Sequence, residues 1–300
     1  SISQTLTSFT ELRIRDRLDD TLSIPPLPEA ARAHPQSCGA DPDYAVRDLV
    51  RIVEADPSLA ARLLGWANSA FYSLREPVTS IADAITRVLG PDAVLNMSLA
   101  IALKGDLHVP AAHVRGMSPY WLEAMYAAAT MEALARQLPA AHRKTISPGF
   151  AYLTGLLANF GTLVIGHVFP PFYARICQQQ EANRHLPHTF VDQQAIGTPR
   201  EVFAATLLEA WGLPACVVDA VRFQYADRYA GPHAGYLGLL RLTHQILAPK
   251  DLCDYPKGRA DAALIEALDL DAEAVSKVMQ VITDSAAALE SMAQAAAGRQ

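Results

Sequence analysis

A short segment of the chain concentrates side chains that could bind a metal ion. His185, His188 and Asp192 follow one another closely, and imidazole nitrogen and carboxylate oxygen are common ligands of zinc and other divalent ions. Pro187 between the two histidines favours an exposed loop, where such residues come together by chance more commonly than in a true site. The pattern alone therefore predicts a loop and no metal centre.

The remaining reactive residues lack the spacing of a recognisable site. His167 and His244 fall within apolar helical runs, where a hydrogen-bonded packing role is more common than catalysis. The cysteines are scattered without a Cys-x-x-Cys pair: Cys38, Cys177, Cys216 and Cys253. This spacing predicts neither a zinc site nor a disulfide framework and fits a reducing compartment. The sequence also lacks the phosphate-loop, G-x-S-x-G, H-E-x-x-H and G-x-G-x-x-G motifs of common enzyme classes.

Composition favours an all-helical, cytoplasmic protein. Hydrophobic residues make up 51% of the 300 residues but aromatic residues only 7%, which favours helices over sheets. The net charge of -6 and the pI of about 5.8 argue against binding to nucleic acid through phosphate neutralisation. The sequence has no signal peptide and no uninterrupted apolar stretch of about 18 residues, so we expect no membrane contact.

Helix starts are indicated where a small or polar residue precedes proline, because proline lacks only an amide hydrogen that the first turn does not use. These pairs are Asp41-Pro42, Asp56-Pro57, Gly90-Pro91, Ser118-Pro119, Ser147-Pro148 and Thr198-Pro199. Thr198 and Glu201 also have the spacing of a capping box. Apolar residues recur at helical spacing, as at Phe150, Leu153 and Leu157, and no strand pattern is evident. We predict an all-α fold.

Two lobes are predicted because Gly105, Pro110 and Gly116 interrupt two apolar helical runs. The predicted units are an N-terminal helix or arm at residues 1–21, a small helical bundle at 22–104, a linker at 105–117, a larger helical domain at 118–290 and a flexible tail at 291–300. The tail is rich in alanine and polar residues, and chain ends of this kind commonly fray.

A set of motifs spread over most of the chain indicates a family relationship. The first half carries IPPLPEA at residues 24–30 and ADPSLAARLLGWANSAFYSLREPVTSIADAITRVLG at residues 55–90. The second half carries Trp121, FAYLTGLLANFGTLVIG at residues 150–166 and LLEAWGLP at residues 207–214. Together these motifs resemble the HDOD family, helical domains of bacterial signal transduction that are related to the HD phosphohydrolases.

The resemblance assigns structural roles to several motif residues. They are Asn68, Ser69, Phe71, Tyr72, Gly155, Gly161, Trp211 and Pro214. We expect Asn68 to end a helix in the left-handed cap conformation and Phe71 and Tyr72 to pack between helices.

Catalytic HD proteins, as the resemblance implies, bind metal ions through a histidine, an adjacent His-Asp pair and a later aspartate, and the ion activates water against a phosphoester. This sequence has Ala158-Asn159 where the pair stands, and it contains no His-Asp dipeptide. The helix with Trp121 lacks the first histidine. Arg200 and Gln224-Tyr225 stand where HD-type sequences place further histidines. Because alanine has no lone pair and arginine repels a cation, we predict no metal, no cofactor and no catalytic residue.

The predicted function is that of a non-catalytic regulatory module, which binds a protein partner of a signalling pathway or a small signalling ligand. A remnant of the metal pocket would be lined by Trp121, Asn159, Arg200 and Gln224, with Arg200 suited to an anionic group. Alternatively, apolar side chains fill the space, as close packing favours, and Arg200 lies on the surface. A phosphohydrolase acting on nucleotides or cyclic dinucleotides and a nucleic-acid-binding regulator are the competing functions.

Overall fold

A computed structural model gives the fold. It describes residues 50, 53–54, 57–68, 72, 74–90, 94, 114, 118–168, 170–210 and 212–297. The predicted N-terminal arm, most of the predicted linker and the motif residues Ser69, Phe71 and Trp211 lie outside the described residues.

The described residues form helices and no strand, which confirms the predicted all-α fold. In chain order the helices are α1 (Pro57–Ala67), α2 (Ile81–Asp83), α3 (Tyr120–Gln137), α4 (Ala140–Arg143), α5 (Pro148–Leu157), α6 (Phe160–Val168), α7 (Pro170–Ala182), α8 (His188–Ile196), α9 (Arg200–Ala210), α10 (Ala215–Phe223), α11 (Ala234–Leu247), α12 (Ala262–Ala267), α13 (Ala272–Asp284) and α14 (Ala286–Ala297). A π-helical segment, Ala84–Leu89, continues α2, and a 3₁₀ turn, Ala248–Lys250, continues α11.

Helices α1 and α5 begin at the prolines that the sequence pattern marks, Pro57 and Pro148. At α5 the hydroxyl of Ser147 accepts a hydrogen bond from the amide of Phe150 at 3.4 Å. The hydroxyl satisfies an amide that has no partner within the helix, so serine followed by proline fixes where the helix starts.

Helix α9 begins beside the predicted position, at Arg200, but the capping box predicted for Thr198 and Glu201 is wrong. The Glu201 carboxylate bonds to His188 and does not reach back to the amide of Thr198. The start of α9 is instead capped by α8, because the Asp192 carboxylate accepts a hydrogen bond from the Arg200 amide at 3.0 Å. A carboxylate is favourable there, since the first turn of a helix carries partial positive charge.

The central helix is α3, which packs against α5, α11, α13 and α14. A Cβ atom at Gly155 would lie only 2.6 Å from the carbonyl carbon of Ala127, so only glycine lets α5 lie this close to α3. The turn after α5 is thereby brought beside the first turn of α3, where Asn159 Nδ2 donates to the Tyr120 carbonyl at 3.2 Å. Gly161 acts similarly between α6 and α9, since its Cβ atom would lie 2.7 Å from the carbonyl carbon of Arg200.

One continuous hydrophobic core joins the described parts of both predicted lobes. Leu63 of α1 and Ile85 of the π-helical segment belong to the same cluster of buried residues as Leu134 and Phe160. Helix α1 also contacts α14. The division into two lobes stays a prediction.

The flexible tail predicted from residue 291 is wrong as far as residue 297. Helix α14 continues to Ala297, and it buries Leu289, Met292 and Ala293 while packing against α3. Burial of this apolar face holds the alanine-rich end in place, which propensity alone would leave to fray.

A single stretch of described helix, Pro148–His167, is long and apolar enough to cross a membrane by length and composition. Of its most apolar window, 72% is buried inside the protein. A turn at Ala158-Asn159 also divides the stretch into α5 and α6. These are the properties of core helices.

Helix α1 ends at Ala67, directly before Asn68, as predicted, but the side chain of Asn68 has a role other than a left-handed cap. Its Nδ2 donates to the Val78 carbonyl at 2.9 Å, and its Oδ1 accepts from the Val78 amide at 2.7 Å. Among the described residues other than glycine, only Asp251 and Asp269 have positive φ, so the left-handed cap predicted for Asn68 is wrong. The side chain instead closes the connection between α1 and α2. Tyr72, within that connection, packs half-buried against the core as predicted.

Candidate functional site

A cleft of about 1430 Å³ opens at one end of the central helix. It lies between the first turn of α3, the turn from α5 to α6, the starts of α8 and α9, the end of α10 and the segment that follows α11. Its volume is more than a small-molecule ligand needs. That apolar side chains fill the former metal position stays an alternative.

The structure brings together three of the four residues predicted to line a remnant pocket. Asn159, Arg200 and Gln224 line the cleft. Trp121 does not, because its ring packs edge-to-face on Tyr120, with ring centroids 5.7 Å apart. From the same first turn of α3, Glu123 lines the cleft instead.

Arg200 is held by a two-pronged ion pair with Asp192. Its Nε lies 2.8 Å from Asp192 Oδ2 and its Nη2 lies 2.9 Å from Asp192 Oδ1. The guanidinium also donates to Thr162 Oγ1 at 3.2 Å and to Gln180 Oε1 at 3.1 Å. Asp192 is fully buried and the Arg200 side chain is only 12% exposed. The alternative that Arg200 lies on the surface is therefore wrong. Its positive charge, which the sequence analysis considered suited to an anionic ligand, is already balanced by Asp192.

His188 forms a second buried ion pair beside the first. Its Nε2 lies 3.2 Å from Glu201 Oε2 and its Nδ1 lies 3.0 Å from Asp254 Oδ2. Burial would lower the pKa of His188, but the hydrogen bonds to Asp254 and Glu201 outweigh it and raise the pKa to about 9. Burial would likewise raise the pKa of Asp254, but its hydrogen bond to His188 and the nearby positive charges lower it. His188 is therefore a cation at neutral pH.

Glu123 faces the same cleft in the opposite protonation state. Burial raises the pKa of its carboxyl to about 8, although hydrogen-bond donation from the Asn159 amide nitrogen and the charge of Arg200 act against this shift. The group is therefore largely protonated at pH 7 and carries no charge into the cleft. The Asn159 amide contacts both the Glu123 carboxyl and the carbonyl of Tyr120.

The protonation of His244 follows from the hydrogen bonds of Gln224. Gln224 Nε2 donates to the carbonyls of Ala158 and Val221, both at 2.9 Å, so its Oε1 is the acceptor that faces His244 Nε2 at 2.9 Å. The proton of His244 must then sit on Nε2, which leaves Nδ1 with a lone pair. Burial, together with the charge of His188, lowers the pKa of His244 to about 3, so the ring stays neutral.

Three rings gather on one side of the cleft. The ring of His244 lies 5.3 Å from Tyr225 at 9° and 5.5 Å from Tyr255 at 24°, so the planes are nearly parallel. The centroids of Tyr225 and Tyr255 are 6.1 Å apart. All three residues line the cleft, and the two tyrosines are half-buried.

The loop predicted for residues 185–192 is wrong from His188 onward. Pro187 caps α8, and His188 and Asp192 fall one turn apart on its buried face, while His185 is exposed. In the described part of the chain, His188, Asp192 and Glu201 form a group of possible metal ligands. Their ligand atoms lie within 4.8 Å of one another. A divalent ion fits poorly there, because Arg200 already bonds both oxygens of Asp192 and His188 is protonated.

The sequence analysis gave no role to Glu123 or Asp254, and it assigned Glu201 only to a capping box. If Pro187 had been interpreted as a helix start, His188 and Asp192 would have been placed on one face of that helix. The next helix, which carries Glu201, would then have been a candidate to provide their partner. Asp254 arrives from a segment far along the chain, and no local pattern links it to His188.

The sequence profile of HDOD domains matches residues 24–227, which is more than half of the chain. The chain belongs to the HDOD domain family. This confirms the resemblance drawn from the motifs.

Solved structures support the fold of this HDOD chain. A Marinobacter aquaeolei VT8 protein, whose name proposes a role in signal transduction, is 36% identical with a TM-score of 0.79, covering 94% of this chain and 61% of that one. An HDOD domain protein of unknown function from Geobacter sulfurreducens is 17% identical, with a TM-score of 0.72 and coverages of 95% and 98%. A Shewanella amazonensis SB2B protein, whose name proposes a phosphohydrolase, is 21% identical, with a TM-score of 0.66 and coverages of 94% and 97%. The last two show the fold alone.

Two of the relatives are longer proteins. An uncharacterized protein of Treponema pallidum (strain Nichols) is 26% identical over 222 residues, which is 74% of this chain but 41% of that protein. The HDOD chain likewise spans 61% of the Marinobacter protein.

The residues that the family resemblance places at the metal-binding positions of HD proteins are engaged with other groups in this HDOD chain and fit a metal poorly. Ala158 offers only its carbonyl, which accepts from Gln224, and Asn159 uses its amide nitrogen as a donor to Tyr120. Arg200 places a permanent cation where the resemblance implies a further histidine.

Proposed function

We propose that this HDOD chain is a regulatory module of signal transduction that acts by binding rather than by hydrolysing a phosphoester. The observation that carries the proposal is the bonding of Asn159, whose Nδ2 donates to the Tyr120 carbonyl at 3.2 Å. A neutral amide in this orientation supplies no carboxylate to a divalent ion, and such an ion is what would generate a hydroxide for attack.

Arg200 supports the same conclusion through electrostatics. Its guanidinium and the imidazolium of His188 are two positive charges among the residues that line the cleft. Both are matched by buried carboxylates, so a metal would have to displace one ion pair and leave a cation without its counter-charge.

A metal-dependent phosphohydrolase is the second candidate, and one observation favours it. His188, Asp192 and Glu201 place nitrogen and oxygen ligands within 4.8 Å of one another. This candidate predicts a protein purified with stoichiometric transition metal, and loss of that metal when Asp192 is changed.

The deciding experiment measures the metal content of the purified protein together with hydrolysis of bis(4-nitrophenyl) phosphate, with and without added manganese. We expect no stoichiometric metal and no turnover above the rate without protein. A control variant, His185→Gln on the exposed side of the same segment, should match the unaltered protein in metal content and turnover. Stoichiometric bound metal with metal-dependent turnover would replace this proposal by the phosphohydrolase.

A further inference from the structure

We propose that the cleft binds a guanine base, with the acceptors of Asn159 and His244 facing its N–H groups and the rings of Tyr225 and Tyr255 against its face. The inference rests on the proposed function and deepens it by naming the chemical class of the ligand.

Two buried acceptors of the cleft have no hydrogen-bond partner in the described part of the chain. They are Asn159 Oδ1 and His244 Nδ1. Buried polar atoms are nearly always paired, so two such atoms on residues that line one cleft indicate a ligand with hydrogen-bond donors.

The nature of both atoms is fixed by their neighbours. Because Asn159 Nδ2 donates to the Tyr120 carbonyl, the oxygen of the same amide is the atom left over. Because His244 Nε2 donates to Gln224 Oε1, Nδ1 keeps a lone pair and cannot donate. Neither atom can change its role without breaking a bond to its neighbour.

Charge disfavours a phosphate in the part of the cleft lined by Arg200 and His188. Arg200 is paired with Asp192, and His188 is paired with both Glu201 and Asp254. An anion would therefore meet cations that are already matched and carboxylates that repel it. A neutral donor group has no such penalty.

The aromatic side of the cleft selects for a flat ligand. The ring planes of Tyr225, His244 and Tyr255 make angles of 9° to 32° with one another, and the two tyrosines are half-buried. Nucleobases stack on such faces regardless of their identity. Hydrogen-bond donors then decide between bases, because guanine carries N1–H beside its 2-amino group, whereas adenine carries one amino group flanked by ring acceptors.

Calorimetric titration of the whole chain with guanosine, adenosine and 1-methylguanosine tests the proposal. Guanosine should bind saturably with one site per chain. Adenosine and 1-methylguanosine, in which a methyl group replaces the N1 hydrogen, should bind at least about tenfold more weakly, since each lacks a donor that the buried acceptors require.

Tyr255 provides a matched pair of variants that leaves the acceptors untouched. Tyr255→Leu removes the ring face and should weaken guanosine binding by about tenfold, whereas Tyr255→Phe keeps the face and should stay within about twofold of the unaltered chain. Equal affinity for guanosine and adenosine, or an unchanged affinity in Tyr255→Leu, would overturn the assignment.

The two proposals fail in different ways. Absence of saturable guanosine binding up to about millimolar concentration, in a protein without metal and without turnover, would overturn this inference and leave the binding module in place. Metal-dependent turnover would overturn the binding module whatever the titration shows.

Discussion

Replacing Asp192 by asparagine should be among the most damaging single changes in the described part of the chain. The carboxylate is 0% exposed and bonds Arg200 at 2.8 and 2.9 Å, and the arginine side chain is 12% exposed. Removing its charge leaves a buried guanidinium without its main partner. Breaking a buried pair in this way costs about 3–5 kcal/mol. We expect a loss of that size in the free energy of unfolding.

The measurement is urea denaturation at pH 7, with Glu209→Gln as the matched control. Glu209 also pairs with an arginine, Arg222, at 2.8 Å, but its side chain is 69% exposed. That pair should contribute about 0–1 kcal/mol, since solvent screens it. The double variant Asp192→Leu with Arg200→Met should recover most of the loss, because no unpaired charge remains. An Asp192→Asn variant as stable as Glu209→Gln would refute the reasoning.

Three further predictions concern helix packing, the pH dependence of stability and the hydrogen bonds of Asn68 to the backbone. Gly155→Ala should cost about 1–3 kcal/mol in urea denaturation, because its Cβ would meet the α3 backbone, whereas Gly65→Ala, with nothing within 4 Å, should not destabilise. His188 has a pKa raised from 6.5 to about 9, so its contribution to stability is complete below pH 6.5 and is lost as the pH rises through about 9. The free energy of unfolding should fall over that window, and equal slopes in the unaltered chain and His188→Gln would contradict this. Asn68→Ala should cost about 1–3 kcal/mol by thermal or urea unfolding, since the Val78 amide and carbonyl lose their partner.

The fold could be predicted because its signals are local. Serine followed by proline at residues 147–148 and the apolar spacing of Phe150, Leu153 and Leu157 define α5 without any reference to the rest of the chain. The left-handed cap of Asn68 was wrong for the opposite reason. Its partner, Val78, lies ten residues along, in a segment whose position depends on the packing of α1 and α2.

The cleft was only partly predictable. Asn159, Arg200 and Gln224 could be found because the family motifs mark their positions, and all three line the cleft. Their bonding could not be found, because the charge of Arg200 is balanced by Asp192 and that of His188 by Asp254 from a distant segment. Ion pairs of this kind depend on tertiary contacts that hydrophobic periodicity does not encode.

Asp254 fastens the irregular segment at residues 251–261 to the helical body. The segment borders the cleft, and Asp254 bonds His188 of α8 at 3.0 Å and Gln180 of α7 at 3.3 Å while its own side chain stays 53% exposed. Releasing it breaks a charge-assisted bond worth about 1.5–3 kcal/mol, which is small beside the free energy of unfolding of a domain. Residues 251–261 can therefore detach locally at a lower free-energy cost than unfolding of the helical bundle requires.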